Sequence, residues 1–503
     1  MATTDWTQRL AEVVDQRHLT LPPAWLPTGA SAAPRSERGR DVHESGRERV
    51  VANHVSSLLR QATEMAVVSS FLLADRLTED EILATARRGV RVYVLLASEA
   101  RLGCEDTDGE FEVRVIEQHL AMLDRLGGHV LFRSASHFHA KVVLVDPHTS
   151  PAGMMLTANL TSEALERNEE LAVMLAPDEV REAAEFVRWA MWEAAEHELV
   201  DPKDRFRAVR PLGEVPHPAP ASSLVATTST TQALRDEALR LIDSASSRIL
   251  ACNFGWAEDH EVVQRLCRQA RAGIDTTVLV RVRPSSMPAL LALTEAGAKV
   301  LGFRWLHAKA IWVDTRQALV MSANFQADGL DQGFELGVRL AGGRASEVFD
   351  RLTRWSRGAE WRLSAAPTLG EVNGQVKLWQ RGRLVDAAVQ PRADLDLGVV
   401  TAPSAHELLA PRPALPARTL PLLAQELCCT WTASAPRLAP KSKEVQRPRE
   451  GEGSPISYVP PVFREPGGRL VVAVRAPDDL EAARALMLEV NAEAIVVGDG
   501  AVR

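Results

Sequence analysis

The sequence predicts an α/β protein built from two copies of one unit, followed by a β-rich segment. Three observations carry this. From about residue 47, apolar strands alternate with amphipathic helices, the pattern of a sheet flanked by helices. The same order of elements then returns after about 170 residues, too long for a solenoid repeat and the size of a domain. Beyond about residue 365 the alternation gives way to short strands, hairpin signals and Pro-rich links.

The elements follow in order. Residues 1–48 are rich in breakers and charge, with Pro22, Pro23 and Pro34, and read as an N-terminal arm. The first unit spans 49–210. It opens with a helix over 49–64 and the apolar run 65–72. A helix entered through Thr78, with Glu81 at capping-box spacing, stops at Gly89. A strand over 91–96, a helix ending at Gly127-Gly128 and a strand over 129–132 complete the pattern. Residues 211–230, with Pro211, Pro216, Pro218 and Pro220, read as a linker. The second unit, 231–365, repeats the series with helices over 231–244, 259–272 and 287–296. Its strands fall at 247–253, 276–280 and 299–303. Each unit ends in a Trp-bearing helix, with Trp189 and Trp192 in one and Trp355 and Trp361 in the other; packing on its own unit is the expected role. In the β-rich accessory domain, 366–503, Asn373-Gly374 marks a hairpin turn. The domain's end reads strand 469–474, helix 478–488, strand 494–497. A polar, basic loop with Lys441, Lys443 and Arg447 precedes it.

Composition limits the function. The 503 residues are 46% hydrophobic and 25% charged, values of a globular protein with a sizeable core. The net charge of −8 excludes a uniformly basic nucleic-acid binder but leaves room for a local basic cleft. No apolar stretch reaches the roughly 18 residues of a membrane span, and the N-terminus lacks a signal-peptide pattern. Neither membrane insertion nor export is therefore expected. The five cysteines, Cys104, Cys252, Cys267, Cys428 and Cys429, are scattered without metal spacing, which points to reduced thiols and a cytoplasmic setting.

The chemistry-bearing residues occur twice. His139, Lys141 and Asp146 form a His-x-Lys-x4-Asp element, and so do His307, Lys309 and Asp314. Each runs into an apolar strand. Each is followed by a hydroxyl residue and an asparagine two apart, Thr157 and Asn159 in the first unit, Ser322 and Asn324 in the second. A glutamate then follows each asparagine at the same interval, Glu170 and Glu335. On a strand, residues two apart share a face, so His and Lys are expected to project together. Lysine and asparagine suit the charge of a phosphodiester in its transition state. Histidine is a competent nucleophile and proton carrier near neutral pH. Asp146 and Asp314 have the other parity and read as structural, with Thr157 and Ser322 in support. Zinc spacings are absent, and lysine is no metal ligand, so no metal and no cofactor are expected. His54, His119, His129, His137 and His260 fall in no motif.

This doubled element resembles the signature of the phospholipase D superfamily over roughly residues 50–345. Thr157 stands where that family more often has Ser, which keeps the hydroxyl. The resemblance implies two lobes related by a pseudo-two-fold axis, each a mixed sheet flanked by helices. It implies one composite site in which one histidine becomes a phosphohistidine and the other serves as general acid and base. It implies further that each carboxylate meets the histidine of the opposite lobe, Glu335 with His139 and Glu170 with His307. Analogy assigns the nucleophile to His139. The expected activity is metal-independent phosphodiester hydrolysis, with nucleic acid as the substrate, DNA ahead of RNA, in a setting such as DNA repair or phage defence. The alternative is a phospholipase D-type hydrolase of phospholipid head groups. Protein partners are expected to engage the C-terminal domain.

Overall fold

A computed structural model describes residues 21–30, 40–97, 109–201, 205–219, 221–314, 316–368, 371–372 and 374–389. Beyond these it describes three short strands near the C-terminus. The chain divides into two compact units. One is residues 29–360; the other joins 1–28 to 361–503.

Residues 29–360 hold two sheets of matching topology. In the first lobe, Met65–Ser69, Arg91–Ala97 and Leu131–Ala135 pair in parallel. On its other side Met65–Ser69 pairs antiparallel with Val142–Val145, which leads on to Ala152–Leu156 and Leu171–Met174. In the second lobe, Arg248–Asn253, Asp275–Arg281 and Lys299–Phe303 are the parallel set. Ala310–Val313, Gln317–Met321 and Glu335–Ala341 are the antiparallel one. Each sheet is extended by a strand that precedes its first helix, Val42–Glu44 in one lobe and Leu224–Thr228 in the other. The stretch read as a linker thus carries a strand of the second sheet.

The helices form where the apolar period is 3.6 and where a cap is available. Val50–Gln61 buries Val51, Val55 and Leu58 at that spacing. The helix expected to enter through Thr78 begins earlier, at Arg76. Asp75 caps it by accepting from the Thr78 amide at 3.0 Å, and Thr78 Oγ1 donates to the same carboxylate. Arg49 in turn ion-pairs with Asp75. The outer helices of the first lobe bury their apolar faces on the sheet with Ile82, Met122 and Leu126.

The central core lies between the lobes. It joins Leu144, Met155 and Val173 of one sheet to Leu250, Val320 and Val338 of the other through the helices Pro177–Trp189 and Gly342–Gly358. The tryptophans of these helices do not simply pack on their own lobe. Trp355 Nε1 donates to Glu44 of the first lobe at 3.0 Å. The Trp189 ring lies 5.7 Å from Phe334 of the second. The cross-links obey the pseudo-symmetry. Glu347 accepts from the amides of Asp41 and Val42, and Glu182 accepts from those of Ala221 and Ser222. Each helix thereby holds the lead-in to the other lobe's extra strand.

In the other unit, Ala24–Pro27 pairs antiparallel with both Trp361–Ser364 and Gly374–Gln380. The hairpin expected to turn at Asn373-Gly374 turns instead at Arg381-Gly382, between Gly374–Gln380 and Arg383–Val389. Both turn residues have positive φ, 49° and 77°, as a type I′ turn requires, and Gly382 meets that at little cost. Val462–Arg464, Leu470–Val474 and Ala494–Val497 form a small sheet. The expected helix over 478–488, the basic loop, Cys104, Cys428 and Cys429 lie outside the described residues. Cys252 and Cys267 are buried free thiols. No described helix is long and apolar enough to cross a membrane.

Candidate active site between the two lobes

The motif residues gather where equivalent strand ends meet, at the same end of each sheet. His139 and Lys141 were expected on a strand. They occupy the segment leading into Val142–Val145 instead. The reason is that the amides of His139 and Ala140 turn to the other lobe, while Lys141 O still accepts from Leu156 N of the neighbouring strand at 2.9 Å. His139 N and Ala140 N both donate to Phe334 O, at 3.0 and 2.9 Å. In the second lobe His307 N and Ala308 N donate to Glu169 O, at 3.0 and 2.8 Å. Phe334 and Glu169 each immediately precede the lobe's motif glutamate. Thr157 and Asn159 likewise lie just beyond the strand Ala152–Leu156, and Ser322 and Asn324 just beyond Gln317–Met321.

This backbone exchange places each carboxylate on the opposite lobe's imidazole. His139 Nδ1 is 2.7 Å from Glu335 Oε1, and His307 Nδ1 is 2.7 Å from Glu170 Oε1. The second oxygen of each glutamate is also held. Thr157 Oγ1 donates to Glu170 Oε2 at 2.6 Å, and Ser322 Oγ donates to Glu335 Oε2. The hydroxyl residues therefore orient the carboxylates that orient the histidines. Lys141 and Lys309 are fully buried. Each ammonium donates to the carbonyl of its own histidine at 2.6 Å, and Lys309 Nζ also lies 3.3 Å from His307 Nδ1. Asn159 Oδ1 and Asn324 Oδ1 are buried without a hydrogen-bond partner, the same vacancy in both lobes.

The electrostatics fix the protonation. Burial pushes the His307 imidazole down to about 3; Glu170 opposes this, while Lys309 and Lys141 reinforce it. His139 is lowered too, by burial first; Glu335 opposes this, and Lys141 and Lys309 add to the lowering. Each histidine thus feels the lysines of both lobes. Burial disfavours ionised Glu170 and Glu335. Even so, the facing histidine, the nearby lysine and the hydroxyl hold both carboxyls below their ordinary value. With the carboxylates ionised, Nδ1 of each neutral ring carries the proton, and Nε2 keeps its lone pair for chemistry.

Asp146 and Asp314 stand apart from this centre. Asp146, at φ 46°, accepts from Thr63 N, Thr63 Oγ1, Glu64 N and Met65 N, all at 2.8 Å. Asp314 accepts from the amides of Ser246, Ser247 and Arg248. Each seals the entry to the first strand of its lobe.

Two aromatic neighbours escaped the sequence reading. The Phe71 ring stands edge-on to His139 at 5.2 Å, and Phe254 to His307 at 4.8 Å. They are equivalent positions just past the first strand of each lobe. Aligning the repeats through Met65 and Arg248, which open those strands, sets Phe71 opposite Phe254. A groove of about 1050 Å³ opens beside this centre, lined by Phe254, Asn324, Gln326, Arg283, Arg268 and Arg271 among others. Among the described residues no three His, Cys, Asp or Glu side chains form a group suited to a metal ion.

Known proteins match at two levels. The family model described as "Cardiolipin synthase, PLD-like domain" matches residues 55–192 and 238–355, one stretch per lobe and together just over half of the chain. Solved structures of similar shape include phosphatidylserine synthase from Haemophilus influenzae Rd KW20, at TM-score 0.46 and 11% identity, over 70% of this chain and 91% of that one. They include polyphosphate kinase from Porphyromonas gingivalis, at TM-score 0.42 and 16% identity, over 62% and 50%. A third is a phospholipase D family member, Nuc, from Salmonella typhimurium, at TM-score 0.24 and 18% identity, over 34% and 97%. No curated protein matches in sequence. With the family matched in both lobes, the chain belongs to the phospholipase D superfamily, as a two-lobed phosphodiesterase or phosphotransferase.

Proposed function

We propose that the chain breaks or exchanges phosphodiester bonds through a phosphohistidine formed at the junction of its lobes. The crossed pairing carries this reading: each imidazole has its Nδ1 on the opposite lobe's carboxylate, which leaves Nε2 as the reacting nitrogen, and Lys309 Nζ lies 3.4 Å from His307 Nε2. His139 Nε2 attacks phosphorus, a P–N bond forms and the P–O bond to the leaving group breaks. His307, protonated once the bound phosphate offsets the lysine charges, gives its proton to the departing oxygen. It then takes a proton from water or an acceptor alcohol, whose oxygen attacks phosphorus and releases His139. Lys141, Lys309 and the two asparagine amides stabilise charge on the non-bridging oxygens.

For the substrate, the family description names cardiolipin synthase and favours a phospholipid head group over the nucleic acid expected from sequence. Head-group hydrolysis or transfer is therefore the first reading. A nuclease is the second. It is favoured by the sparse apolar surface, since Leu77 and Leu212 are the large hydrophobics exposed among the described residues. Such a surface offers little to a bilayer.

The test measures head-group release from phosphatidylglycerol and phosphatidylcholine vesicles, and cleavage of single-stranded DNA, plasmid and RNA, all in excess EDTA. Release from vesicles without cleavage of nucleic acid is expected. Cleavage alone reverses the order. If bis(p-nitrophenyl) phosphate and every natural diester stay intact, the phosphodiesterase reading is wrong. Activity that needs added magnesium or manganese overturns the lysine-based mechanism.

A further inference from the structure

The two lobes match at the reacting centre but not beside it. Around His307 stand four arginines and two aromatic rings. Arg283 lies 4.1 Å from the Phe254 centroid and Arg281 5.4 Å from it. Arg167, Arg281 and Arg304 lie 3.8, 5.2 and 5.0 Å from the Trp305 centroid. Arg167 comes from the first lobe, the others from the second. Phe254 is the ring that also meets His307 and lies 5.7 Å from Lys309 Nζ. The arginines therefore begin one ring's width from the reacting imidazole.

Among the described residues the first lobe has nothing equivalent. Strand registers place Ala97 opposite Arg281 in the repeat, because Arg91 pairs with Met65 as Asp275 pairs with Arg248. Counting back from the motif histidines places His137 opposite Trp305, and counting back from the glutamates places Gln332 opposite Arg167. The cationic cluster is thus an addition to one flank, not a feature of the repeated unit.

Among the described residues no carboxylate lies within ion-pair distance of Arg281 or Arg167. Burial, Arg283 and Arg167 outweigh Glu170 and Glu169 and push the Arg281 guanidinium down to about 10. A cation on an aromatic face gains about 0.5–2 kcal/mol. One indole shared by three guanidinium groups leaves their mutual repulsion standing. An anion between them would relieve it, and planar forked donors suit a phosphate.

We propose that Arg281 and Arg283, with Arg167, form a subsite for a second phosphate of the substrate, on the His307 side of the scissile one. The preferred substrate is then a phosphodiester with another phosphate a short bridge away. Two sources share this chemistry, each with three carbons between phosphates: a glycerol bridge and a nucleotide sugar. The inference rests on the phosphodiester reading, but its test reads binding, not turnover.

Isothermal titration compares glycerol 1,3-bisphosphate with glycerol 1-phosphate, and thymidine 3′,5′-bisphosphate with thymidine 5′-phosphate. At least one bisphosphate should bind about tenfold tighter than its monophosphate, and the Arg281→Ala/Arg283→Ala variant should lose that advantage. The pair that shows the advantage names the source. Arg281→Lys/Arg283→Lys, with the charge kept, should recover part of it, and controls for misfolding if the alanine variant fails to fold. Bisphosphates that bind no tighter than monophosphates to the wild-type chain overturn the subsite. So does an advantage that survives in the alanine variant, or in the lysine variant at full strength where alanine cannot be read. Inactivity toward all diesters with the bisphosphate preference intact would sink the reaction and leave the subsite standing.

Discussion

At the scale of single residues, the protonation pattern sets the behaviour. Both imidazoles are held neutral while both facing carboxylates are held ionised. Changing either His139 or His307 to Ala should lower turnover by about 10³-fold or more, because neither lobe has a complete site. Substantial activity in one variant would show the halves working independently. With an activated leaving group, His307→Ala should still accumulate an acid-labile phosphoenzyme and His139→Ala should not; the opposite result exchanges the roles. The same shifts predict a pH dependence of stability. His307 binds a proton near its ordinary 6.5 when unfolded but only near 3 when folded. Between those values the unfolded state holds the extra proton, so stability is full above 6.5 and falls as pH is lowered. The slope from one such group is at most about 1.4 kcal/mol per pH unit. The Tm should therefore drop from pH 7 to 5, and less steeply in His307→Gln. Equal slopes in both proteins would refute this share of the effect.

At the scale of elements, backbone packing positions the asparagine. A Cβ on Gly329 would sit 2.5 Å from Asn324 O and 2.8 Å from Asn324 N, and one on Gly333 would sit 2.6 Å from Asp328 O. The short helix Ala327–Leu330 thus presses backbone against the segment that presents Asn324. Gly329→Ala should cost about 1–3 kcal/mol in stability. It should also lower kcat by about 10- to 100-fold, because small displacements at a reacting centre are costly. Normal kcat in a folded Gly329→Ala protein would show that Asn324 tolerates the shift. Elements of this kind divide sharply in how legible they are. The helix and strand series was readable because period and burial agree, as in Arg91–Ala97 and Asp275–Arg281. The doubled motif was readable because identical spacing occurs twice. The Arg381-Gly382 turn was not, because Asn373-Gly374 carries the stronger local signal while strand pairing decides the register. Asp75 displaced Thr78 as the cap for a similar reason: Arg49 and Ser162, distant in sequence, hold its carboxylate in place.

At the scale of the whole molecule, the pseudo-two-fold between lobes explains why one site needs both. The arginine flank of His307 was invisible in the sequence, since Arg167, Arg281 and Arg304 meet only through the lobe contact at Glu169 and Trp305. The placing of the termini was equally hidden. The sequence suggests that everything after about residue 365 is a separate accessory domain. In the structure that region's first hairpin takes the strand Ala24–Pro27 as its neighbour and buries Leu21, Ala24 and Leu26 against Val376, Leu378 and Ala387. A cut at 365 alone would strip cover from Leu21, Ala24 and Leu26 and leave the edge of Ala24–Pro27 unpaired on the hairpin side, an invitation to aggregation. Removing residues 1–28 together with 361–503 takes away Ala24–Pro27 along with the hairpin that covers it. The remaining 29–360 keeps the inter-lobe core, the crossed His–Glu pairs and the helices that bind the opposite lobe's strands. That fragment should fold cooperatively and turn over bis(p-nitrophenyl) phosphate at a rate within about threefold of the full chain, while the protein cut only at 365 should be less soluble. A soluble, folded 29–360 fragment with no activity on any small diester would mean that the other unit contributes to the site itself.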